Sequence, residues 1–258
     1  MSSHMAIDQD DDADCADDAL MAMIEAADDV VAFTGAGIST ESGVPDFRSP
    51  GSPWLTNMPI DYRQFVADPA SRAEAWRRKF AMDDVYRGVR PSRGHVALAR
   101  LVEAGKISAI ITQNIDNLHQ LSGVPESALI ELHGNGSYAR CLSCGRRHEL
   151  SDVRAAFEAT GVSPACECGG IIKSATISFG QSMPQGEMRR AHAATMGCDL
   201  FLAIGSSLQV YPAAGFPQIA RQNGAKLAII NREATPLDGL ADLVVRGEIG
   251  DALERWAL

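Results

Sequence analysis

Short apolar runs recur along the chain and alternate with stretches of helical spacing. The apolar runs are Asp29–Phe33, Ile107–Ile111, Ala128–Leu132, Asp199–Ile204, Lys226–Ile230 and Asp242–Val245. Runs that are apolar at consecutive positions are typical of parallel strands covered by helices on both faces. Gly94 to Ala104 instead places His95, Leu98 and Val102 on one helical face, where His95 is expected to pack. The alternation predicts an α/β fold, a Rossmann-like doubly wound parallel sheet whose last run is an edge strand.

Polar or glycine-rich segments follow five of these strands. They are Gly35-Ala36-Gly37, Thr112–Asp116, His133-Gly134, Gly205-Ser206-Ser207 and Asn231-Arg232-Glu233. Each segment alone also fits a turn or a helix cap. Because ligands bind outside the carboxyl ends of parallel strands, their coincidence favours one extended ligand such as a dinucleotide. The first segment lets the backbone approach a pyrophosphate, although Thr40 occupies the position of a third glycine.

A long segment rich in Gly, Pro and Ser lies between Gly43 and Asp61. It exceeds the length of an ordinary connection, which favours a functional loop over a ligand.

Four of the six cysteines form two close pairs with metal-ligand spacing: Cys141, Cys144, Cys166 and Cys168. Each pair is followed by a glycine, and four thiolates are typical of a structural zinc site with no open position. The second pair has one intervening residue where two are usual. A redox pair or unligated thiols are the alternatives, but a redox pair would not need the second pair. The sequence therefore predicts a small zinc ribbon.

The charge is concentrated at the N-terminus. The net charge is −10, yet seven aspartates lie between Asp8 and Asp18, and the remainder of the chain is nearly neutral. This balance predicts a disordered acidic leader over residues 1–19 and argues against a nucleic-acid-binding body. Ser2 to Met5 resembles an expression-tag remnant, so Met5 is expected to be the natural start. Residues 20–258 are expected to form the functional domain, Rossmann-like over 20–135 and 175–258, with the zinc insert at about 136–174.

Targeting signals are not evident in the sequence. No run is apolar enough to span a membrane, and the first twenty residues lack the order of a signal peptide. Reduced cysteines at metal-ligand spacing indicate a cytoplasmic protein with no membrane partner. The sequence does not determine an oligomeric state.

Two histidines are candidates for acid–base chemistry. His119 and His133 both follow strands, and Gly134 leaves room for a ligand beside His133. Neutral imidazole is a natural general base near pH 7. Without other chemistry nearby, a capping or packing role would be the better interpretation of either histidine. His148 and His192 are expected at the surface.

With these residues the chain resembles the sirtuins, the NAD-dependent protein lysine deacylases, over roughly Leu20 to Leu258. The resemblance rests on Gly35–Ser39, Gly43–Arg48, Thr112–His119, His133-Gly134, the four cysteines, Phe179-Gly180, Gly205–Leu208 and Asn231–Glu233. These segments occur in the family's order.

The resemblance implies roles for individual residues. His133, Asn114, Asp116 and Arg48 would be catalytic. NAD would be held by Gly35, Ala36, Gly37, Ser39, Thr40, Asp46, Phe47, Arg48, Trp54, Gln113, Asn114, Ile115, Asp116, Gly205, Ser206, Ser207, Asn231, Arg232, Glu233 and Ala252. An acyl-lysine peptide would pair as a strand with Phe179, Gly180, Leu208 and Val210. The zinc ion would be structural and NAD a co-substrate.

The resemblance also implies a mechanism. The acyl oxygen attacks the anomeric carbon of the ribose as nicotinamide leaves, and His133 then acts as general base on a ribose hydroxyl. That hydroxyl attacks the imidate carbon, and water completes the step, which gives free lysine and acylated ADP-ribose. Mono-ADP-ribosyl transfer or NAD glycohydrolysis on the same scaffold, and a non-catalytic NAD sensor, are the alternatives. The peptide-binding segments favour deacylation, and His133 argues against a sensor.

Two departures from the family pattern leave the acyl group open. Gln181 follows Phe179-Gly180 where many sirtuins carry an acid, and no Tyr-x-x-Arg pair of the succinyl-preferring kind is present. The segment Trp76–Lys79 lies in the comparable region and would offer cations instead.

Overall fold

A parallel sheet forms the centre of the computed structural model, which describes residues 9–46 and 59–257. Within these residues its six strands are β1 (Val30–Thr34), β2 (Ile107–Thr112), β3 (Leu129–Glu131), β7 (Leu200–Ile204), β8 (Lys226–Ile230) and β9 (Leu243–Val245). They lie side by side in the order β3-β2-β1-β7-β8-β9. Each predicted run overlaps one of these strands to within one residue at either end, and β9 lies at the edge as predicted. The Rossmann-like doubly wound sheet is thereby confirmed.

Helices cover both faces of the sheet. The helices of the described residues are α1 (Gln9–Ala26), α2 (Tyr62–Ala67), α3 (Pro69–Val85), α4 (Arg93–Glu103), α5 (Leu118–Leu121), α6 (Leu150–Thr160), α7 (Gln185–Gly197), α8 (Phe216–Gln222), α9 (Ile249–Ala252) and α10 (Glu254–Ala257). Alternate residues of β1 show the two-sided burial. Val30 and Ala32 pack with α1 and α4, whereas Val31 and Phe33 pack with α7 and α8. Burial on both faces explains why most strand positions are apolar in succession.

Ser92 caps the N-terminus of helix α4. The Ser92 hydroxyl accepts a hydrogen bond from the His95 backbone N–H at 3.3 Å, and His95 Nδ1 accepts one from the Ser92 N–H at 3.2 Å. This reciprocal capping box satisfies N–H groups that a helix leaves unpaired at its start. His95 is fully buried, in agreement with its predicted packing role.

Helix α1 extends into residues 1–19, for which composition predicts a disordered leader. It begins at Gln9 and runs to Ala26. Leu20, Met21 and Ile24 are buried, and this spacing places them on one face against the sheet. Residues 9–19 therefore lie in a helix and differ from the disordered leader that composition predicts. The buried apolar face of the same helix, which packs against the sheet, supports them. No helix of the described residues has the length and apolarity that a bilayer crossing requires.

A smaller antiparallel sheet carries the cysteines. Its strands are β4 (Gly134–Cys141), β5 (Arg147–Glu149) and β6 (Ile172–Thr176), and β4 lies between the other two. A separate apolar cluster supports it, in which Val153 and Phe157 of α6 meet Trp76 and Phe80 of α3. The module therefore has its own core, and α3 supplies part of it.

The turns after β1 and β7 contact each other at the carboxyl edge of the large sheet. Gly37 N–H donates to the Gly205 carbonyl at 2.8 Å. Gly205 has φ +60°, and a Cβ there would lie 2.5 Å from the Ile38 backbone nitrogen. Only glycine fits this close approach of two backbones.

Gly205→Ala is therefore expected to destabilise the fold by roughly 3 kcal/mol or more, since it combines left-handed strain with a backbone clash. Gly105 is the matched control. It has φ +72°, and a Cβ added there would meet nothing within 4 Å. Gly105→Ala should therefore cost only about 1–2 kcal/mol, from the left-handed strain alone. Urea unfolding of both variants measures the difference, and equal losses would contradict the clash.

Candidate active site and metal centre

The loop after β2 is interlocked with the turn after β1. Asn114 Nδ2 donates to the Gly35 carbonyl at 3.1 Å and to Ser39 Oγ at 3.2 Å. Ser39 Oγ in turn donates to Asp116 Oδ2 at 2.7 Å. The Gln113 N–H donates to the Thr34 carbonyl at 2.9 Å, which continues the β-pairing into the loop. Three polar residues that the sequence singles out thus form one hydrogen-bonded unit.

Gln113 connects this unit to two further strands. Its side-chain amide donates to Oγ of Ser206, which follows β7, at 2.8 Å. The backbone carbonyl oxygen of Gln113 lies 2.8 Å from Nδ1 of His133, the histidine that follows β3. A carbonyl only accepts, so Nδ1 carries the proton and Nε2 keeps its lone pair. Burial lowers the pKa of His133 below its usual 6.5, which keeps the ring neutral at pH 7.

His119 has a different environment, although the sequence makes it a second candidate. It is 2% exposed, and its Nε2 lies 2.9 Å from Thr34 Oγ1, which donates to Thr112 Oγ1. Burial and the neighbouring His95 lower its pKa well below the usual value. His119 therefore belongs to a buried polar layer beneath the loop, whereas His133 is half-buried at the edge of the site.

A pocket lies beside the turns after β1 and β7. It is lined by Gly37, Ile38, Thr40, Glu41, Asp46, Gly205, Asn231, Arg232, Glu233, Gly247, Glu248, Ile249 and Gly250. Thr40 Oγ1 donates to the Gly37 carbonyl, and Asn231 Nδ2 donates to the Glu233 carbonyl. An elongated ligand would thus extend from the loop after β2 across the glycine turns to the loop after β8.

Some predicted residues contribute to the site through backbone or core packing. Leu208 is 1% exposed and packs in the core on one face of the sheet, whereas Ala252 of α9 is buried in the core on the other face. Ala36 belongs to the short 3-10 turn after Gly35, while Ile115 and Ser207 lie in the loops after β2 and β7. Phe47, Arg48 and Trp54 fall outside the described residues.

The segment Phe179-Gly180 leaves β6 beside His133. The Ile177 N–H donates to the His133 carbonyl at 2.7 Å, and the Phe179 carbonyl accepts the Tyr62 N–H at 2.9 Å. The Phe179 side chain is 60% exposed, and Val210 is partly exposed. This segment therefore offers an accessible apolar surface next to the histidine.

Sequence reasoning missed several residues that shape these loops. Arg246 Nη1 donates to the carbonyls of Asn231 and Glu233, at 3.0 and 2.9 Å, and so holds the loop after β8. Glu248 lines the pocket and pairs with Arg232 at 2.6 Å. Neither residue belongs to a motif, because each acts through neighbours that only the fold brings close.

The four predicted cysteines converge in the small module. Their sulfur atoms all lie within 4.8 Å of one another, with Cys141–Cys168 at 3.5 Å and Cys144–Cys166 at 3.8 Å. Sulfurs about 2.3 Å from a tetrahedral zinc ion would be roughly 3.8 Å apart. The one-residue spacing of the second pair therefore does not prevent convergence.

The surroundings of the cysteines also fit a metal ion. Hydrogen bonds from the backbone N–H groups of Cys144 and Ser143 lower the pKa of Cys141 to about 6, which favours the thiolate that a metal needs. A Cβ at Gly170 would lie 2.5 Å from Cys141 Sγ, so glycine keeps this space for the ligand sulfurs. The cluster thus fits a four-thiolate structural zinc.

Cys168→Ala is expected to lower bound zinc from one ion per chain to near zero and to reduce the melting temperature markedly, because an incomplete site loses binding energy that supports folding. Elemental analysis and thermal melts measure both effects. Cys15→Ser is the matched control, since Cys15 is exposed and outside the cluster. Full zinc content in Cys168→Ala would contradict the assignment.

Comparison with known proteins places this geometry in a family. The model of the Sir2 family matches residues 35–212. The chain is 60% identical to an NAD-dependent protein deacetylase of Rhodopseudomonas palustris over 90% of this chain and 92% of that protein. It is 56% identical to NAD-dependent protein deacetylase 1 of Bradyrhizobium diazoefficiens, over 90% and 91% of the two chains.

Solved structures give the same result. A Sir2 protein with a p53 peptide and NAD superposes with a TM-score of 0.81 at 36% identity, covering 92% of this chain and 95% of that one. A Sir2 protein bound to a propionylated peptide gives a TM-score of 0.81 at 35% identity, with the same coverage. Since the sheet, the cysteine module and the convergent loops agree with these matches, the chain belongs to the Sir2 family, the sirtuins.

Proposed function

We propose that this protein is an NAD-dependent protein lysine deacylase that transfers the acyl group to ADP-ribose and releases nicotinamide. One observation carries the proposal. A neutral, half-buried His133 shares hydrogen bonds with the loop of Asn114 and Asp116, beside an exposed segment suited to a peptide. The relatives named as NAD-dependent protein deacetylases support it.

NAD would lie across the carboxyl edge of the large sheet. The residues that would hold its nicotinamide end are Gln113, Asn114, Ile115 and Asp116. The turns at Gly35–Ser39 and Gly205–Ser207 would face its phosphates, because backbone N–H groups there can approach closely. Asn231, Arg232 and Glu233 would meet its adenosine end, where the pocket offers polar side chains. Ala252 would contribute packing only, since its side chain is buried.

The acyl-lysine peptide would add as a strand between two exposed segments. Phe179-Gly180 would form one edge, and Leu208 to Val210 the other, through their backbones. Leu208 is compatible with this role despite its buried side chain, because strand addition uses the main chain. The Sir2 structures solved with peptides support a peptide substrate.

The chemistry divides between the co-substrate and the chain. NAD supplies a ribose whose anomeric carbon accepts the acyl oxygen when nicotinamide leaves. His133 takes a proton from a ribose hydroxyl at Nε2, because Nδ1 is already protonated and held by Gln113. Asn114 and Asp116 orient the ribose, and Phe179 helps to exclude water. The zinc ion would stabilise the module and take no part in the reaction.

The acyl group is proposed to be small and neutral. Trp76, in the segment that would offer cations, is 2% exposed in the core of the cysteine module. Arg77 and Arg78 both pair with Glu74, and Lys79 pairs with Asp83 on the same helix. Each of these cations is therefore already paired with an acid of its own helix, which makes it a poor partner for an acidic acyl group.

Incubation of acetyl-, propionyl- and succinyl-lysine peptides with and without NAD tests the activity. We expect NAD-dependent removal of acetyl and propionyl groups, with one nicotinamide released per lysine freed and slower turnover of succinyl peptide. Mass spectrometry measures the products. Free ADP-ribose with the acyl-peptide unchanged would favour NAD glycohydrolysis, and ADP-ribosylated protein would favour transfer.

His133→Ala is expected to lower the deacylation rate about 100-fold or more, the contribution of a general base, with NAD binding retained. His192→Ala is the control, because His192 is exposed. Turnover, calorimetry with NAD and melting temperature separate the two interpretations. Early melting with near-parental turnover would instead make His133 a strand cap.

The pH dependence follows from the lowered pKa of His133. A base acts only when neutral, so the rate should be constant near pH 7 and fall as the pH drops through a value below 6.5. An acid limb centred above pH 6.5 would contradict burial as the determinant.

A further inference from the structure

The loop Gln113–Asn117 contains no helix or strand, yet it carries the polar groups proposed to hold the nicotinamide end of NAD. Its geometry is therefore set by contacts with other segments. One side is held by the turn after β1, through Asn114 and Ser39. The other side faces the residues that follow β3, from His133 to Gly136.

This second side is held at three successive points. His133 Nδ1 donates to the first carbonyl of the loop, that of Gln113. The Gly136 N–H donates to the Ile115 carbonyl at 2.8 Å, and a Cβ at Gly136 would lie 2.8 Å from the same oxygen. At the last residue, Asn135 Nδ2 donates to Asn117 Oδ1 at 3.1 Å.

Asn135 uses its whole amide group in these contacts. It is 3% exposed. Besides Asn117, its Nδ2 donates to Glu131 Oε1 at 2.7 Å, while its Oδ1 accepts the Ser137 N–H at 2.7 Å. Both donors and the acceptor are engaged, so the orientation of the amide is determined. Aspartate has the same shape but lacks both donors.

Glu131 extends the network to the far end of the loop. Its Oε1 also accepts the side-chain amide of Gln120, at 2.7 Å, and Gln120 lies in α5 directly after the loop. Burial raises the pKa of Glu131, and the two amide donors oppose that effect. The carboxylate therefore joins Asn135 of β4 to the helix that follows the loop.

We propose that Asn135 is a positioning residue, which sets the loop Gln113–Asn117 in the orientation that binds the nicotinamide end of NAD. It acts through Asn117 and Glu131 and does not itself touch the co-substrate. The inference rests on the proposed function, and it adds a residue that lies outside the set expected to contact NAD.

Asn135→Asp is the first test, because it removes both donors at constant shape and places a carboxylate against Glu131 Oε1. Losing buried hydrogen bonds of this kind is expected to raise the KM for NAD about tenfold or more and to weaken inhibition by nicotinamide in parallel. The KM for acetyl-peptide should change less than about threefold. Asn223→Asp is the matched control, since Asn223 donates to the Met196 carbonyl at an exposed position.

A second-site change provides a rescue. In the double variant Asn135→Asp with Glu131→Gln, the new amide can donate to the new carboxylate, which reverses the direction of the original hydrogen bond. We expect the KM for NAD to recover to within about threefold of the parental value. If Asn135→Asp acted only by destabilising the fold, the added Glu131→Gln change would not selectively restore the KM for NAD.

Asn117→Gly tests the same contact if Asn135→Asp folds poorly. Asn117 has φ 66°, which glycine adopts readily, so the change removes the partner side chain without backbone strain. We expect a rise of about threefold in the KM for NAD at an unchanged melting temperature.

Unchanged NAD and nicotinamide constants in these variants would overturn the inference, as would equal rises for NAD and peptide. Failure of the proposed function is distinct, because the parental protein would then show no NAD-dependent deacylation.

Discussion

The contact between the turns after β1 and β7 is the constraint on which the site depends. Gly37 and Gly205 touch through their backbones, so the two halves of the sheet present their carboxyl ends at one place. The loops after β2 and β3 attach to this contact by hydrogen bonds through Asn114 and Gln113, and the Gly205 N–H donates to the Ile230 carbonyl at the end of β8. A larger residue at either glycine would separate the loops, and the shared polar network would lose its geometry.

Three histidines of one small region differ in their exposure and in their hydrogen-bond partners. His95 and His119 lie beneath the loop with their rings 4.8 Å apart, and the low-polarity surroundings favour their neutral forms. They support Thr34 and Ser92 as packing and hydrogen-bonding groups. His133 is also kept neutral, but it remains half-exposed, and a backbone carbonyl selects its tautomer. Its exposure and its defined Nε2 lone pair, more than its pKa alone, make His133 the better candidate for the proposed general base.

The apolar runs predicted the large sheet well, because strands buried on both faces leave a signal at every position. The polar segments at their ends correctly indicated one shared edge, since parallel strands place those ends together. The residue pattern alone did not separate His119 from His133, which only the family resemblance favoured, because the distinction depends on Thr34, Thr112 and His95 packing around one ring. Asn135 and Arg246 were missed for the same reason. Their partners are distant in sequence or have no motif, and only folding brings them into contact.

The small module is linked mechanically to the site that it adjoins. Strand β4 begins at Gly134, next to His133, and ends at Cys141, one of the four clustered cysteines. Its eight residues span roughly 25 Å when extended. The first residues hold the loop after β2, whereas the last residue is anchored in the cysteine cluster. Strand β4 pairs with β6 at Gly134 and again from Ala139 to Cys141, with an irregularity between these points. A zinc ion held by the cysteines would therefore also constrain the proposed active-site edge, because both ends belong to one strand.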